Sequence, residues 1–211
     1  MRIITVYKTG GIYTRDYVER LERAVRANTQ VDYEFVCLTD DVTEAYDVPM
    51  QQNWPGWWGK LEMFDHSRFP GHNVFIDLDT VIMKDITDVL TRKESLIMMR
   101  DHRVTRANSC LMSWTSNMTY VLQEFISNAQ GYVDRFRQSP WIGDQAMTEY
   151  ATIMSARTIH FWQDIMPDDY FVNWTLEDPQ HRAAAHLAWW TDGPKPHEIQ
   201  DPLIDQHWRN R

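Results

Sequence analysis

Apolar and polar positions alternate along this chain in a pattern that predicts its elements. Residues 2–7, RIITVY, form a short apolar run that ends at Lys8 and the Gly10-Gly11 pair, which reads as a strand entering a turn. Tyr17, Val18, Leu21, Ala24 and Val25 recur at helical spacing through about Ala27, with Asp16 and Glu19 placed as a capping box at the start. YEFVCLTDD (33–41) reads as a second strand that ends in acids. NWPGWWGKLEMFDHSRFPG (53–71) begins as a loop and becomes a short helix near residues 60–65, and NVFIDLDTVI (73–82) follows as the third strand. SLIMMRD (95–101) and SCLMSW (109–114) predict two more strands. MTYVLQEFISNA (118–129) and GDQAMTEYAT (143–152) predict helices, the latter starting at Gly143-Asp144, and RTIHFW (157–162) predicts a strand. From Asn173 onward, Pro179, Gly193, Pro194, Pro196 and Pro202 predict irregular chain.

Strand-helix-strand-helix-strand order over the first 80 residues predicts an α/β fold with a mixed, mostly parallel central sheet flanked by helices. Sheets of this kind bind ligands beyond the carboxyl ends of their strands. The polar ends YKTGG, TDD and DLD collect there.

Composition narrows the class. The 211 residues, 43% hydrophobic and 24% charged, suit one sizeable globular domain. No apolar stretch approaches the roughly 20 residues of a membrane span. The first strand is too short and too polar at its flanks for a signal peptide, so a cytoplasmic location is expected. The net charge of −9 speaks against a nucleic-acid partner, because phosphate contacts need a basic face. Cys37 and Cys110 lie in apolar runs and read as buried thiols, since two lone cysteines make neither a disulfide framework nor a metal motif. Ten tryptophans are several times the usual share, and many stand in polar or glycine-rich company. Some of them belong to a core, and clustered aromatics near polar loops also fit a sugar-binding cleft.

The chemistry centres on Asp77-Leu78-Asp79. Strand alternation sends both aspartates to one side and Leu78 to the other. Two carboxylates so close repel, so one holds a proton or a cation offsets them. A hard divalent ion, Mn²⁺ or Mg²⁺, is the simplest such cation and leaves coordination positions for phosphate oxygens. The bland alternative is a solvated turn, or aspartates paired with Arg or Lys. DLDTV also fits the DxDx[TV] pattern of haloacid-dehalogenase-like phosphatases, with Asp77 as nucleophile. Those enzymes usually carry the motif on their first strand, and here about 75 residues of α/β unit precede it. A non-catalytic carbohydrate-binding module using the tryptophans is the third reading.

Asp77-Leu78-Asp79 resembles the DxD signature of nucleotide-sugar-dependent glycosyltransferases of the GT-A fold. VYKTGGIY resembles the first-strand loop of that family, GWWGKLEMF the segment whose lysine faces the donor, and NSCLMSW and GDQAM the corresponding strand and helix start of the family 8-like, glycogenin-like branch. DGPKPHE resembles the C-terminal closing element, so the likeness runs over about residues 1–200. It implies a single GT-A domain over residues 1–211, with residues 1–90 as nucleotide-binding half and residues 91–211 as acceptor half and closing loop. It implies a hexosyltransferase that moves a sugar from a UDP-sugar to a glycan or glycoprotein with retention of configuration. Asp77 and Asp79 would hold the metal. The position at which the family usually has a histidine falls near Thr191, and Asp192 is the expected third ligand, with His186 the second choice. Tyr7, Lys8, Thr9 and Tyr13 would line the nucleoside pocket. Asp40 would contact base or ribose, or cap a helix. Lys195 would clamp the diphosphate, and Lys60 would offset it or pair with the donor-side acids. Asn108 would hydrogen-bond the sugar or hold a turn, and Leu78 and Gln145 would belong to the same nucleotide-sugar site. Asp144 would act at the reacting carbon or cap its helix. Trp57, Trp58 and Trp141 are candidates for an acceptor platform. The length is also similar to that of a virus-encoded glycosyltransferase domain, which implies a host cytoplasm and further domains of a longer polypeptide.

Overall fold

The computed structural model describes residues 1–52, 54–101, 105–137, 141–191 and 193–210. Its main sheet has seven strands in the order β3-β2-β1-β4-β7-β6-β8. At its centre β1 (Arg2–Tyr7) runs parallel to β2 (Glu34–Thr39) over six residue pairs and parallel to β4 (Asn73–Ile76) on its other side. The short β3 (Asp47–Pro49), which the apolar pattern does not announce, extends the parallel part. Beyond β4 the direction changes. β7 (Ala107–Trp114) is antiparallel to both β4 and β6 (Leu96–Arg100), and β8 (His160–Phe161) adds parallel to β6.

The strands read as continuous apolar runs because both faces of the sheet are covered. Period-2 alternation divides their side chains between two cores. Ile3, Val74, Ile76 and Leu111 point to one, with the buried face of α1 (Arg15–Ala27); Ile4, Phe75, Met112 and Trp114 point to the other. That second core takes in α3 (Thr119–Ser127), α4 (Ala129–Arg135) and α5 (Gly143–Met154).

Several expected elements differ. The α1 helix begins at Arg15, and Thr14 stands at its N-cap without a side-chain bond. Asp16 lies inside the first turn and pairs with Arg20 at 2.6 Å, and Glu19 faces Arg23, so no capping box forms. The predicted helix near residues 60–65 is a 3₁₀ segment over Gly56–Phe64. The predicted strand 157–162 shrinks to β8, because Trp162–Ile165 turns into the short helix α6. The run 73–82 splits: β4 stops at Ile76, and β5 (Val81–Ile82) belongs to a second sheet. That sheet corrects the expectation of irregular chain from Asn173. It has the order β5-β10-β9, with β10 (Leu187–Trp189) antiparallel to β5 and parallel to β9 (Phe171–Asn173). Between β9 and β10 lies α7 (Pro179–Ala184), capped by Asp178, which accepts from the amides of Gln180 and His181. The second sheet therefore ties the chain just past Asp79 to the chain just before Lys195. Among the described residues, no helix is long and apolar enough to cross a membrane.

Candidate active site

A cleft of about 450 Å³ opens at the carboxyl ends of β1 and β4 and is closed on its far side by the start of α5 and the chain after β10. Ten of the expected site residues line it: Lys8, Tyr13, Lys60, Asp77, Leu78, Asp79, Asn108, Asp144, Gln145 and Lys195.

Asp77 is held at the end of β4, where its amide donates to the Cys110 carbonyl of β7 at 2.9 Å. Its carboxylate accepts from Lys60 Nζ at 2.8 Å, and the same ammonium stands 4.0 Å from Asp144 Oδ2 and 5.2 Å from the centre of the Phe75 ring. The 3₁₀ segment delivers Lys60 to this point. Burial pushes the Asp77 carboxyl up, Lys60 opposes it and Asp79 adds to it, leaving the group at about 6. Burial works against the Lys60 charge, but Asp144 and then Asp77 outweigh it and hold the ammonium protonated.

Asp79 is 4% exposed and has different partners. Lys195 Nζ donates to its Oδ2 at 2.7 Å and the Tyr13 hydroxyl donates to the same oxygen at 2.8 Å. Burial, then the charges of Asp79 and Asp77, push the Tyr13 phenol far above its ordinary range, so it stays a donor. The acid pair that ends the buried strand thus has a lysine for each carboxylate. The pairing with Lys, set out above as the bland alternative, is present in the direct contacts.

Charge does not balance within this cluster. Three carboxylates, Asp77, Asp79 and Asp144, face two ammonium groups, Lys60 and Lys195. Asp144 is 5% exposed and its Oδ2 has no hydrogen-bond partner. It is not the N-cap of α5: Ile142 holds that position, and Gly143 opens the helix with φ +67°.

Just past the end of β2, Asp40 accepts from the chain that leaves β1: the Thr9 amide at 2.9 Å, the Thr9 hydroxyl at 2.9 Å and Lys8 Nζ at 3.3 Å. Burial pushes its carboxyl up, but these bonds outweigh that and hold it below the usual range. Asp40 and Thr9 therefore brace the loop from outside the cleft lining, while Lys8 reaches into it. Gly10, at φ +80°, makes the turn. Tyr7 is buried beneath the Arg15 guanidinium, 4.8 Å from its ring centre. Asn108 lines the cleft with its oxygen on the Cys110 amide at 2.9 Å.

The tryptophan expectations separate. Trp57 is on the rim of the cleft, whereas Trp58 is buried and stacks on Phe125 at 5.1 Å. Trp141 lies outside the lining, donating to Glu149 at 2.8 Å. His186 is also outside it: the ring stacks on Tyr170 at 4.2 Å, and Nδ1 sits 2.6 Å from the Asp85 carbonyl. Asp192, the other expected ligand, lies outside the described residues. Among the described residues, no three His, Cys, Asp or Glu side chains converge as a metal cage.

Sequence reasoning missed Ile12, Cys110 and Trp190 and marked Thr191 only as the place of the family's histidine; all four line the cleft. Burial and the charges of Asp77 and Asp79 keep the Cys110 thiol protonated. Trp190 stacks on Trp174 at 5.6 Å, and Thr191 meets Asn173 of β9 at 2.5 Å. The chain that carries Lys195 is pinned to α1: His197 meets the Tyr17 hydroxyl at 2.5 Å, and Arg20 donates to the carbonyls of Trp208 and Arg209 at 2.8 and 2.7 Å.

No protein-family model matches the sequence, and no curated protein matches it. Solved structures do match in fold. The glycosyltransferase GlyE of Streptococcus pneumoniae TIGR4 superposes with a TM-score of 0.67 at 11% identity, covering 99% of this chain and 60% of GlyE. This chain thus spans about three-fifths of that protein's length. The galactosyltransferase LgtC, in complex with donor and acceptor sugar analogs, gives 0.66 at 10% identity, covering 100% of this chain and 99% of LgtC. The bifunctional glycosyltransferase WbbM gives 0.56 at 10% identity over 92% of this chain and 46% of WbbM. The mixed α/β architecture with its seven-stranded, mostly parallel sheet is the GT-A-like fold of these glycosyltransferases.

Proposed function

We propose that this chain is a metal-dependent glycosyltransferase that takes a sugar from a UDP-sugar and passes it to a glycan or glycoprotein. The observation that carries this reading is that the Asp77–Asp79 pair after β4 shares one cleft with Asp144, so that three carboxylates face two lysines. The GT-A-like fold, shared with LgtC in its complex with donor and acceptor sugar analogs, supports it.

The residues present fit a hard divalent cation. The cluster holds one carboxylate more than its lysines neutralise, the Asp144 Oδ2 atom is buried without a hydrogen-bond partner, and the Asp77 carboxyl is pushed up to about 6. Oxygen donors of this kind select Mn²⁺ or Mg²⁺ over softer metals. Asp77 and Asp79 would hold the ion, which when bound supplies counter-charge to a leaving diphosphate.

The chain's own groups do the rest. Lys195 and Lys60 exchange their carboxylate partners for diphosphate oxygens and stabilise the charge that grows there as the sugar departs. Tyr13 stays protonated and keeps Asp79 oriented. Asp144 faces the positive charge that develops on the sugar ring, and Asn108 and Gln145 hold sugar hydroxyls. The Lys195 chain, pinned to α1, covers the cleft against water that would otherwise take the sugar. Retention of configuration is part of the proposal and rests on the resemblance of NSCLMSW and GDQAM to the family 8-like branch; inversion would need only a base placed differently. The phosphatase alternative has less support: Asp77 ends the fourth strand, next to an antiparallel neighbour, and Lys60 already occupies its carboxylate.

Isothermal titration of UDP tests the reading. Binding is expected with Mn²⁺ and not without it, and Asp79→Ala is expected to abolish the heat while leaving the far-ultraviolet circular dichroism unchanged. A wild-type protein that ignores UDP in the presence of Mn²⁺ or Mg²⁺, or an Asp79→Ala variant that binds it as well as wild type, refutes the assignment.

A further inference from the structure

The ten tryptophans separate by exposure. Seven are buried, Trp54 and Trp141 are half-buried, and Trp57 alone is exposed, at 49%. Trp190, the other tryptophan in the cleft lining, is 4% exposed with its ring stacked on Trp174. Trp57 therefore carries the one indole that combines an open surface with a place in the cleft.

Its position is fixed from below by Gly143. A Cβ added at that glycine would lie 2.7 Å from Trp57 Nε1 and 2.9 Å from its Cδ1, and the φ of +67° also favours glycine there. The indole is thus seated on the first residue of α5, and the next two residues, Asp144 and Gln145, line the same cleft. An exposed aromatic surface stands beside a carboxylate and an amide.

A pyranose presents matching chemistry. One side is a patch of C–H groups that packs on indole, and its edge is a ring of hydroxyls that need carboxylate or amide partners. The residues expected to receive the nucleotide are others, Lys8 and Tyr13, which line the cleft from the chain after β1 together with Gly11. We infer that Trp57 is the platform of the acceptor subsite, and that the acceptor is a pyranose lying on the indole with a hydroxyl turned toward Asp144. This rests on the sugar-transfer reading above.

The test is saturation-transfer difference NMR on the full chain with methyl β-D-glucopyranoside and methyl β-D-galactopyranoside, with sorbitol as an acyclic control. Wild type should show a saturable signal, strongest on the ring C–H protons, for at least one pyranoside and none for sorbitol. Trp57→Ala should weaken it about tenfold, Trp57→Phe should retain most of it, and Trp141→Phe should leave it unchanged, the scale of one aromatic contact. UDP titrations with Mn²⁺ should give the same affinity in Trp57→Ala as in wild type. The inference is overturned by a wild type that binds neither pyranoside, by an unchanged signal in Trp57→Ala, or by loss of UDP affinity in that variant, which would assign the indole to the nucleobase. Pyranoside binding that depends on Trp57 in a protein that never binds UDP would sink the donor reading and leave this subsite standing.

Discussion

Replacing Asp77 by Asn should stabilise the metal-free protein at neutral pH while removing the transferase activity proposed above. The cluster around Lys60 and Lys195 holds three carboxylates and two ammonium groups, and Asp77 bears the cost. Burial raises its carboxyl from 3.8 to about 6, with Lys60 opposing and Asp79 adding. A carboxyl with a raised folded pKa favours the fold fully below its unfolded value of 3.8, and that contribution disappears as pH rises through 6. The difference of roughly two pKa units corresponds to about 3 kcal/mol at pH 7.5. The Asp77 side chain keeps 21% of its surface open to the cleft, and water there lowers the expected gain to about 1–3 kcal/mol. Lys60 does not lose its counter-charge in the variant, because Asp144 Oδ2 stands 4.0 Å away with no hydrogen-bond partner. The assay is urea or thermal unfolding of wild type and Asp77→Asn at pH 4, 6 and 7.5 with chelator present. For a chain of this size each kcal/mol moves the midpoint by about 2–4 °C. The gain should be near zero at pH 4 and largest at pH 7.5. A variant no more stable than wild type at pH 7.5, or a gain that does not change with pH, would refute the charge argument.

Two further outcomes follow from the same geometry. Lys195→Met removes the 2.7 Å contact to Asp79 but leaves the Tyr13 bond, so UDP affinity in Mn²⁺ should fall about 10- to 100-fold, the loss of a charge-assisted contact to phosphate. The unfolding midpoint of the metal-free protein should fall as well, because the buried Asp79 loses its ammonium; titration calorimetry and a thermal melt check both. Asp178→Ala removes the side chain that accepts from the amides of Gln180 and His181 at the start of α7, and urea unfolding should report a loss of about 0.5–2 kcal/mol with UDP affinity unchanged.

The residues that announced themselves in the sequence did so for physical reasons. NVFI reads as a buried strand because a sheet covered on both faces needs apolar side chains on both sides. The buried stripe of α1 repeats often enough for a helical period to show. The second sheet was not legible, since FVN and LAW are three residues each, too short to display a period, and prolines between and after them imitate a loop. Asp16 suggested a cap because its side chain suits one, yet the cap position falls two residues earlier, at Thr14, and the carboxylate pairs with Arg20. In the cleft, charged residues stood out because charge in apolar company needs a partner. Trp190 and Ile12 did not, because an apolar side chain carries the same letter whether it fills a core or walls a cleft. The exposure of Trp57 and the burial of Trp58, adjacent in sequence, are set by which side of a 3₁₀ turn each one occupies.

Asp79 and Lys195 are 116 positions apart, and β5 and β10 join the segments that carry them. Most of the parallel ladder closes over far shorter stretches of chain, so loop-closure entropy favours its forming first. A nascent polypeptide still lacking the tenth strand can organise the core on the α3–α5 side of the main sheet, while the core on the α1 side still waits for Leu187, Trp189, Ile204 and Trp208 and the acid pair has no clasp over it. The last step of maturation is therefore also the step that completes the cleft, and on the sugar-transfer reading proposed above an incompletely synthesised chain would hold the scaffold without the segment that shields a donor from solvent.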